Sequence, residues 1–463
     1  MTYAVSILAL VALFTVATVT PVNMGVLAFA AAFIVGGWVS HMALDDIVGF
    51  FPGNLFLIVV GITLLFGIAR VNGTIDLVVK ALLTLVRGKR WAIVWVMFGL
   101  AGTLMALGSV MAVGMLAPIA MPIAKKYKID PLLMGMMISH GALGTAFSPI
   151  TVYGAFTTGW LADTGLPTNP TALFFIPLAL NVFLALVLFF TRGRDLLRKD
   201  GGTIDGPVEA DADTTTDPGS AAGGTRTDQL GTVPSGSAGG GAVAAPAAVV
   251  VSPPVRANDA EGETPGLTPI RILTLLGMLG LLLSAAVFGV DVGIGSMCIS
   301  AVLLMAAPNR HKAAMNNVSW SVVVLVCGML TYMSVLEENG TLQFLGDAAA
   351  SLGSPLLTAL LLCLAVGIIS AIGSSIGTLG IVFPLAAPML LAGELGVIGF
   401  VAAIAFCTVV VDVSPFSSNG AIVLANAQVA DRNAFQQRLL RYCLMIVVVA
   451  PVLAFLTVIL PTA

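Results

Sequence analysis

Two ionisable residues stand inside long apolar stretches: His140 in MMISHGALGTAF and Asp412 in TVVVDVSPF. Charged or titratable groups are costly in such surroundings, and where they occur they commonly mark ion paths, proton relays or counter-charges for a ligand. Each precedes a helix-breaking sequence. His140 lies one or two turns before GTAFSPITVYG (Gly144–Gly154), and Asp412 comes just before VSPFSSNG (Val413–Gly420). A Ser-Pro step disfavours helix at the serine and removes a backbone donor. In lipid such a break is tolerated only where the freed backbone groups line a protein-enclosed cavity. The half-helix beyond the break offers N–H groups and a positive dipole end to an anion. Freed carbonyls and hydroxyls suit a hard cation such as sodium. Two plainer roles stay open: a hydrogen-bonded packing histidine for His140, and a carboxylate cap on the broken helix for Asp412.

Two more breaks fall at Gly108-Ser109 and Gly373-Ser374-Ser375, each between two apolar arms where a hairpin would turn. The elements that hold all four breaks must be membrane helices. Of 463 residues, 58% are hydrophobic and only 9% are charged. Soluble domains carry about 25% charged residues, so this chain cannot cover a globular surface with polar groups. That excludes a soluble enzyme, a nucleic-acid binder and a disordered protein, and leaves a polytopic membrane protein in contact with a lipid bilayer. No HExxH is present, and three scattered histidines argue against an intramembrane enzyme; no cofactor is expected. Cys298, Cys327, Cys363, Cys407 and Cys443 form no CxxC pair and read as small core hydrophobes. Trp91, Trp95, Trp160 and Trp320 lie near expected helix ends and read as interface anchors. The apolar start lacks a basic n-region and a cleavage site, so the first segment is expected to be a retained span.

Residues 192–268 differ from the rest. They are rich in Gly, Ala, Thr, Asp and Pro, contain no aromatic residue, and are expected to form a disordered linker. On either side lie two hydrophobic halves, 1–191 and 269–463. The halves repeat at an offset of about 266 residues. Gly61 and Asn72-Gly73-Thr74 fall on Gly328 and Asn339-Gly340-Thr341, and Gly108-Ser109 falls on Gly373-Ser374. PIAMP (Pro118–Pro122) falls on PLAAP (Pro384–Pro388), and Ser148-Pro149 with Gly154 falls on Ser414-Pro415 with Gly420. Four anchors in one order indicate an internal duplication.

The basic residues set the topology. If Trp91–Ala124 and Pro355–Leu391 are re-entrant hairpins, each half has five crossings, and all 20 Lys and Arg fall on the side of the linker. That side is then cytoplasmic. Five is odd, so the second half is inverted. The expected fold is an all-α inverted repeat of two five-helix halves, each with a re-entrant hairpin and a broken helix, as in secondary transporters. Ile75–Val86 and Leu342–Leu352 are short and amphipathic and read as interfacial helices.

Several long strings resemble the dicarboxylate carriers of the MatC (malonate carrier) type. They are NMGVLAFAAAFIVG (Asn23–Gly36), GFFPGNLFLIVVGITLLFGIARVNGTID (Gly49–Asp76), PIAMPIAKKYKIDPLLMGMMISHGA (Pro118–Ala142) and FSPITVYG (Phe147–Gly154), with VDVSPFSSNGAIVLANA (Val411–Ala427) as the second-half counterpart. The wider group resembled is the ion-transporter superfamily, which includes divalent-anion/sodium symporters. The resemblance implies an elevator-type carrier of a small malonate-like dicarboxylate, coupled to sodium or protons, in a bacterial-type inner membrane, with a homodimer compatible. Carried over by position, Ser374, Ser375 and Thr378 match a Ser-Asn-Thr motif at the second hairpin tip, with serine where that motif has asparagine. The first tip, Gly108-Ser109-Val110, lacks both asparagine and threonine. The loops Thr145–Thr151 and Ser414–Asn419 match segments that complete such sites. The resulting substrate set is Ser109, His140, Thr151, Ser375, Thr378 and Asn419. The cation set is Ser148, Ser374, Asp412, Ser414, Ser417 and Ser418. A cation/proton antiporter or arsenite-type permease of the same superfamily, with Asp412 as ion carrier, is the alternative.

Overall fold

The structure is a computed structural model, described here for residues 2–20, 22–75, 77, 89–197, 268–288, 290–350, 354–373, 375–393 and 395–462. Residues 198–267 of the expected linker, most of the amphipathic segment 75–86 and the tip residue Ser374 lie outside the described residues. Every regular element described is helical. In the first half these are α1 (Thr2–Val19), α2 (Met24–Phe33, continued by a π-helical turn Ile34–Val39), α3 (Leu44–Gly49), α4 (Gly53–Val71), α5 (Arg90–Ala106), α6 (Ala112–Lys126), α7 (Pro131–Gly144), α8 (Val152–Asp163) and α9 (Pro170–Arg192). The second half has α10 (Pro269–Phe288), α11 (Val292–Ala306), α12 (His311–Asn316), α13 (Trp320–Glu338), α14 (Thr341–Ala350), α15 (Pro355–Ile372), α16 (Ser375–Leu391), α17 (Val397–Val410), α18 (Ser418–Asn426) and α19 (Arg432–Ala454).

Helix starts follow local chemistry. Asp130 and Asn169 cap α7 and α9 through their side chains, each followed by a proline at the first helical position. Asp291 and Asp431 cap α11 and α19 through their side chains, without a proline at the first helical position. Among the described residues, five helical segments are long and apolar enough to cross a membrane: Leu44–Val71, α9, α13, α15 and Arg432–Thr462. The pair Val292–Ala306 and Pro308–Asn316, bent by 111°, makes a sixth if counted as one span. The chain is therefore an all-α, multi-pass membrane protein.

Helix for helix, α1–α9 recur as α10–α13 and α15–α19 at an offset of roughly 266 residues. The agreement reaches single hydrogen bonds. Asn72 Oδ1 accepts from the Thr74 amide at 3.0 Å and its hydroxyl at 2.5 Å, and Asn339 Oδ1 accepts from Thr341 at 3.1 and 2.5 Å. Both turns place glycine in the left-handed region, Gly73 at φ 73° and Gly340 at φ 76°. Each asparagine then donates to a hydroxyl of the other half: Asn72 to Thr274 at 2.7 Å, Asn339 to Ser6 at 3.2 Å.

The halves also exchange partners. Helix α2 crosses α13 so closely that a Cβ on Gly25 would strike the Val324 carbonyl, and one on Gly328 would strike Gly25. The equivalent pair is α11 with α4, where a Cβ on Gly293 would lie 2.8 Å from Ile58 N and one on Gly61 would strike the Ser296 hydroxyl. In lipid, helices attract through close packing of small residues, which these glycines permit. Trp160, expected at an interface, is instead buried and stacked on Phe383 of the other half at 5.1 Å. Its run is broken at Ser148-Pro149, and the chain beyond the break turns α8 into the core.

Candidate functional site

The first break separates α7 from α8. Thr145, at the end of α7, donates to the Gly102 carbonyl of α5 at 2.8 Å. Thr151 starts α8: its hydroxyl donates to the Ser148 and Ala146 carbonyls and accepts the Gly154 amide at 3.0 Å. The second break, between α17 and α18, has the same frame. Ser417 donates to the Ser414 carbonyl at 2.8 Å, and the Ser414 hydroxyl accepts the Phe416 amide at 3.2 Å. The Ser148 and Ser414 carbonyls occupy the places where Gly154 and Gly420 would carry a Cβ.

The breaks differ in charge. Ser417 makes no side-chain capping bond to α18. The Asp412 carboxylate lies instead beside the amides of Ser418 and Asn419 at the start of α18. It also accepts the Asn419 side-chain amide at 3.0 Å. By the repeat offset the first-half equivalent of Asp412 is Ala146, so the start of α8 carries no such carboxylate.

The second hairpin turns at Gly373, between α15 and α16. Ser375 is buried, with its Oγ 3.2 Å from Ser370 Oγ, which donates to the Thr408 carbonyl of α17 at 2.7 Å. Tyr153, from the first turn of α8, lies beside the Ser375 hydroxyl and within electrostatic range of Asp412. The second hairpin tip, the start of α8 and the second break thus meet around one buried carboxylate. Thr378 is buried one turn beyond Ser375. Ser414 is buried beside the Cys443 thiol of α19.

Not every sequence-derived candidate joins this cluster. Ser418 is exposed, because successive residues on a helix point about 100° apart and Asn419 takes the inward direction. Ser148 is buried in the first break, and Ser109 stands at the first hairpin tip, where Gly108, at φ 107°, lies against Ile62, Phe66 and the Ile150 carbonyl. His140 is fully buried, and both ring nitrogens are occupied: Nδ1 by Asn181 Oδ1 at 2.9 Å and Nε2 by the Tyr442 hydroxyl at 2.6 Å. Asn181 gives its own amide to the Pro177 carbonyl at 2.9 Å, so it must accept from Nδ1–H. The imidazole ties α7 to α9 and α19. We expect His140→Ala to destabilise the protein by about 1–3 kcal/mol, since two interhelical hydrogen bonds are lost. Substrate affinity and the pH profile of uptake should be unchanged. Melting curves and uptake over a pH series test this, and a flattened profile would return His140 to the transport chemistry.

Tyr153 is the site residue that residue types alone do not reveal. The repeat offset could have found it, since it occupies the place of Asn419. Among the described residues no group of three or more His, Cys, Asp or Glu could hold a metal ion.

Residues 1–146 match the model of the family described as dicarboxylate carrier protein MatC N-terminus. The match runs from α1 through α7 and ends in the first break. No curated protein matches the chain.

Proposed function

We propose, from the match of residues 1–146 to the MatC N-terminal family, that this chain is a secondary active carrier of a small, malonate-like dicarboxylate, coupled to a cation. It is not an enzyme. The carrying observation is the convergence of Tyr153, Ser375 and Asp412 from two repeats onto one buried cluster. A dianion needs compensating positive charge when it leaves water. The start of α8, which carries no carboxylate of its own, can receive one together with the hydroxyls of Tyr153, Ser375 and Thr378. The oxygens of Asp412, Ser414 and Ser417 suit a sodium ion beside it, and Asn419 supplies an amide to the substrate.

The exchanged contacts between α2 and α13 and between α11 and α4 support a two-fold relation of the halves. With five crossings in each half, the second half is inverted, the linker is cytoplasmic and the membrane is an inner one. In this reading the hairpins and broken helices move as an elevator against α2, α4, α11 and α13. The alternative is a cation/proton antiporter or arsenite-type permease. The buried Asp412 carboxylate favours it as a second reading, because one carboxylate can carry an ion without any organic substrate.

Uptake of labelled malonate and succinate into proteoliposomes, with and without an inward sodium gradient, separates the two. Accumulation driven by the gradient is expected. Failure of any dicarboxylate to accumulate under a sodium or a proton gradient would overturn the carrier reading.

A further inference from the structure

The starts of α8 and α18 carry matching donors, but only one of them carries an acceptor. At the repeat offset Val152 corresponds to Ser418, Tyr153 to Asn419 and Ala146 to Asp412. The first amides of a helix have no partner within the helix. At α18 the amides of Ser418 and Asn419 lie beside the Asp412 carboxylate, and the Asn419 side chain donates to it at 3.0 Å. At α8 the Gly154 amide is taken by Thr151, which leaves those of Val152 and Tyr153. Among the described residues neither of these two has an acceptor. Both residues are buried.

The surroundings follow the same plan. Tyr153 carries a phenol where Asn419 carries an amide, so each helix start has a side-chain donor in the same place. The Phe147 ring packs edge-on against Tyr153 at 5.8 Å, and the Tyr153 hydroxyl lies beside Ser375 of the second hairpin tip. The Ala146 carbonyl accepts from the Thr151 hydroxyl, which holds position 146 at the start of α8. The Asp412 carbonyl is held at α18 in like manner, by the Gly420 amide at 3.2 Å. What differs is the side chain, a carboxylate at 412 and a methyl at 146. Buried donors without an acceptor are rare in folded proteins. Two helix-start amides and a hydroxyl suit an anion, through charge-assisted hydrogen bonds and the positive end of the helix.

We propose that Asp412 is a built-in copy of the substrate's carboxylate. At the amides of Val152 and Tyr153 and the Tyr153 hydroxyl, one carboxylate of the dicarboxylate takes the place that Asp412 holds at α18. Ala146 keeps that place open, and so makes the first break specific for an anion from outside the chain. The second carboxylate meets the cation held by Asp412. Tyr153 lies within electrostatic range of Asp412, so an anion at Tyr153 faces a like charge unless that cation is bound. This inference rests on the carrier reading above.

The test uses the purified full chain, with malonate binding read by calorimetry and sodium binding by the sodium dependence of melting curves. Ala146→Asp supplies the missing carboxylate and should weaken malonate by about a hundred-fold or more. It should also bind sodium without malonate as tightly as the unaltered protein does with malonate, a gain of about 5–150-fold. Ala146→Asn has the same size and no charge, and should show no such gain. Tyr153→Phe keeps the ring and loses the donor. Malonate should weaken about ten-fold in that variant, while the factor by which sodium tightens malonate stays as it was. An Ala146→Asp protein that binds malonate normally, or that loses malonate without gaining sodium affinity, overturns the proposal and leaves the carrier reading in place. If Ala146→Asp does not fold, Tyr153→Phe decides. Unchanged malonate affinity then overturns the proposal, and the ten-fold loss at a normal melting temperature supports it. If the unaltered protein binds no dicarboxylate at all, the carrier reading fails and this inference with it.

Discussion

Asp412→Asn is expected to remove the cation dependence of substrate binding while leaving the fold nearly intact. Asparagine can still accept an amide at the start of α18, and Asn and Asp are about equally good caps. The melting temperature should therefore fall only slightly. The negative charge is lost, however, and with it the counter-charge that lets a cation leave water. Coupling between sites is typically about 1–3 kcal/mol, or about 5–150-fold in affinity. Titrating malonate affinity against sodium should show that factor in the unaltered protein and a ratio near one in the variant. Linkage requires that malonate tighten sodium binding by the same factor. An unchanged sodium dependence in Asp412→Asn would leave Asp412 as a helix cap alone. Asn419→Ala should weaken substrate without changing the sodium response, because it removes an amide and no charge.

The largest structural effect is expected at the glycines that end the breaks. In Gly154→Ala and Gly420→Ala the new Cβ must displace the carbonyl of Ser148 or Ser414. Those carbonyls also accept from Thr151 and Ser417, so neither can move without undoing its break. A cost on the order of 4 kcal/mol or more follows, at the extreme of single substitutions. Gly99→Ala is the matched control. It lies on α5 with nothing within 4 Å of the added atom, and should stabilise by up to about 1 kcal/mol through helix propensity. Yield of monodisperse protein and melting curves distinguish the two classes. Normal folding of both break variants would mean the breaks are softer than drawn.

The breaks themselves were legible in the sequence, because Gly, Ser-Pro and Asn-Gly act on the local backbone and leave a local mark. The duplication was legible for the same reason: its anchors are turn residues. What could not be read is which side chains meet across helices. His140 finds its partners on α9 and α19, and neither Asn181 nor Tyr442 has any sequence signal pointing at it. The approach of Tyr153 to Ser375 likewise depends on how α8 enters the core.

The close crossing of α2 on α13 has a consequence for how the protein is made. The Asn23 side chain donates to the Ser321 carbonyl at 2.8 Å across 298 residues of chain. At a synthesis rate of about 5–20 residues per second, that partner emerges roughly 15–60 s after Asn23. Throughout that interval the glycine face of α2 has no α13 to rest on, and α4 waits similarly for α11. Assembly of the two halves is therefore a late event in the membrane, and a ribosome stalled between them would leave a first half whose closest-fitting surfaces face lipid.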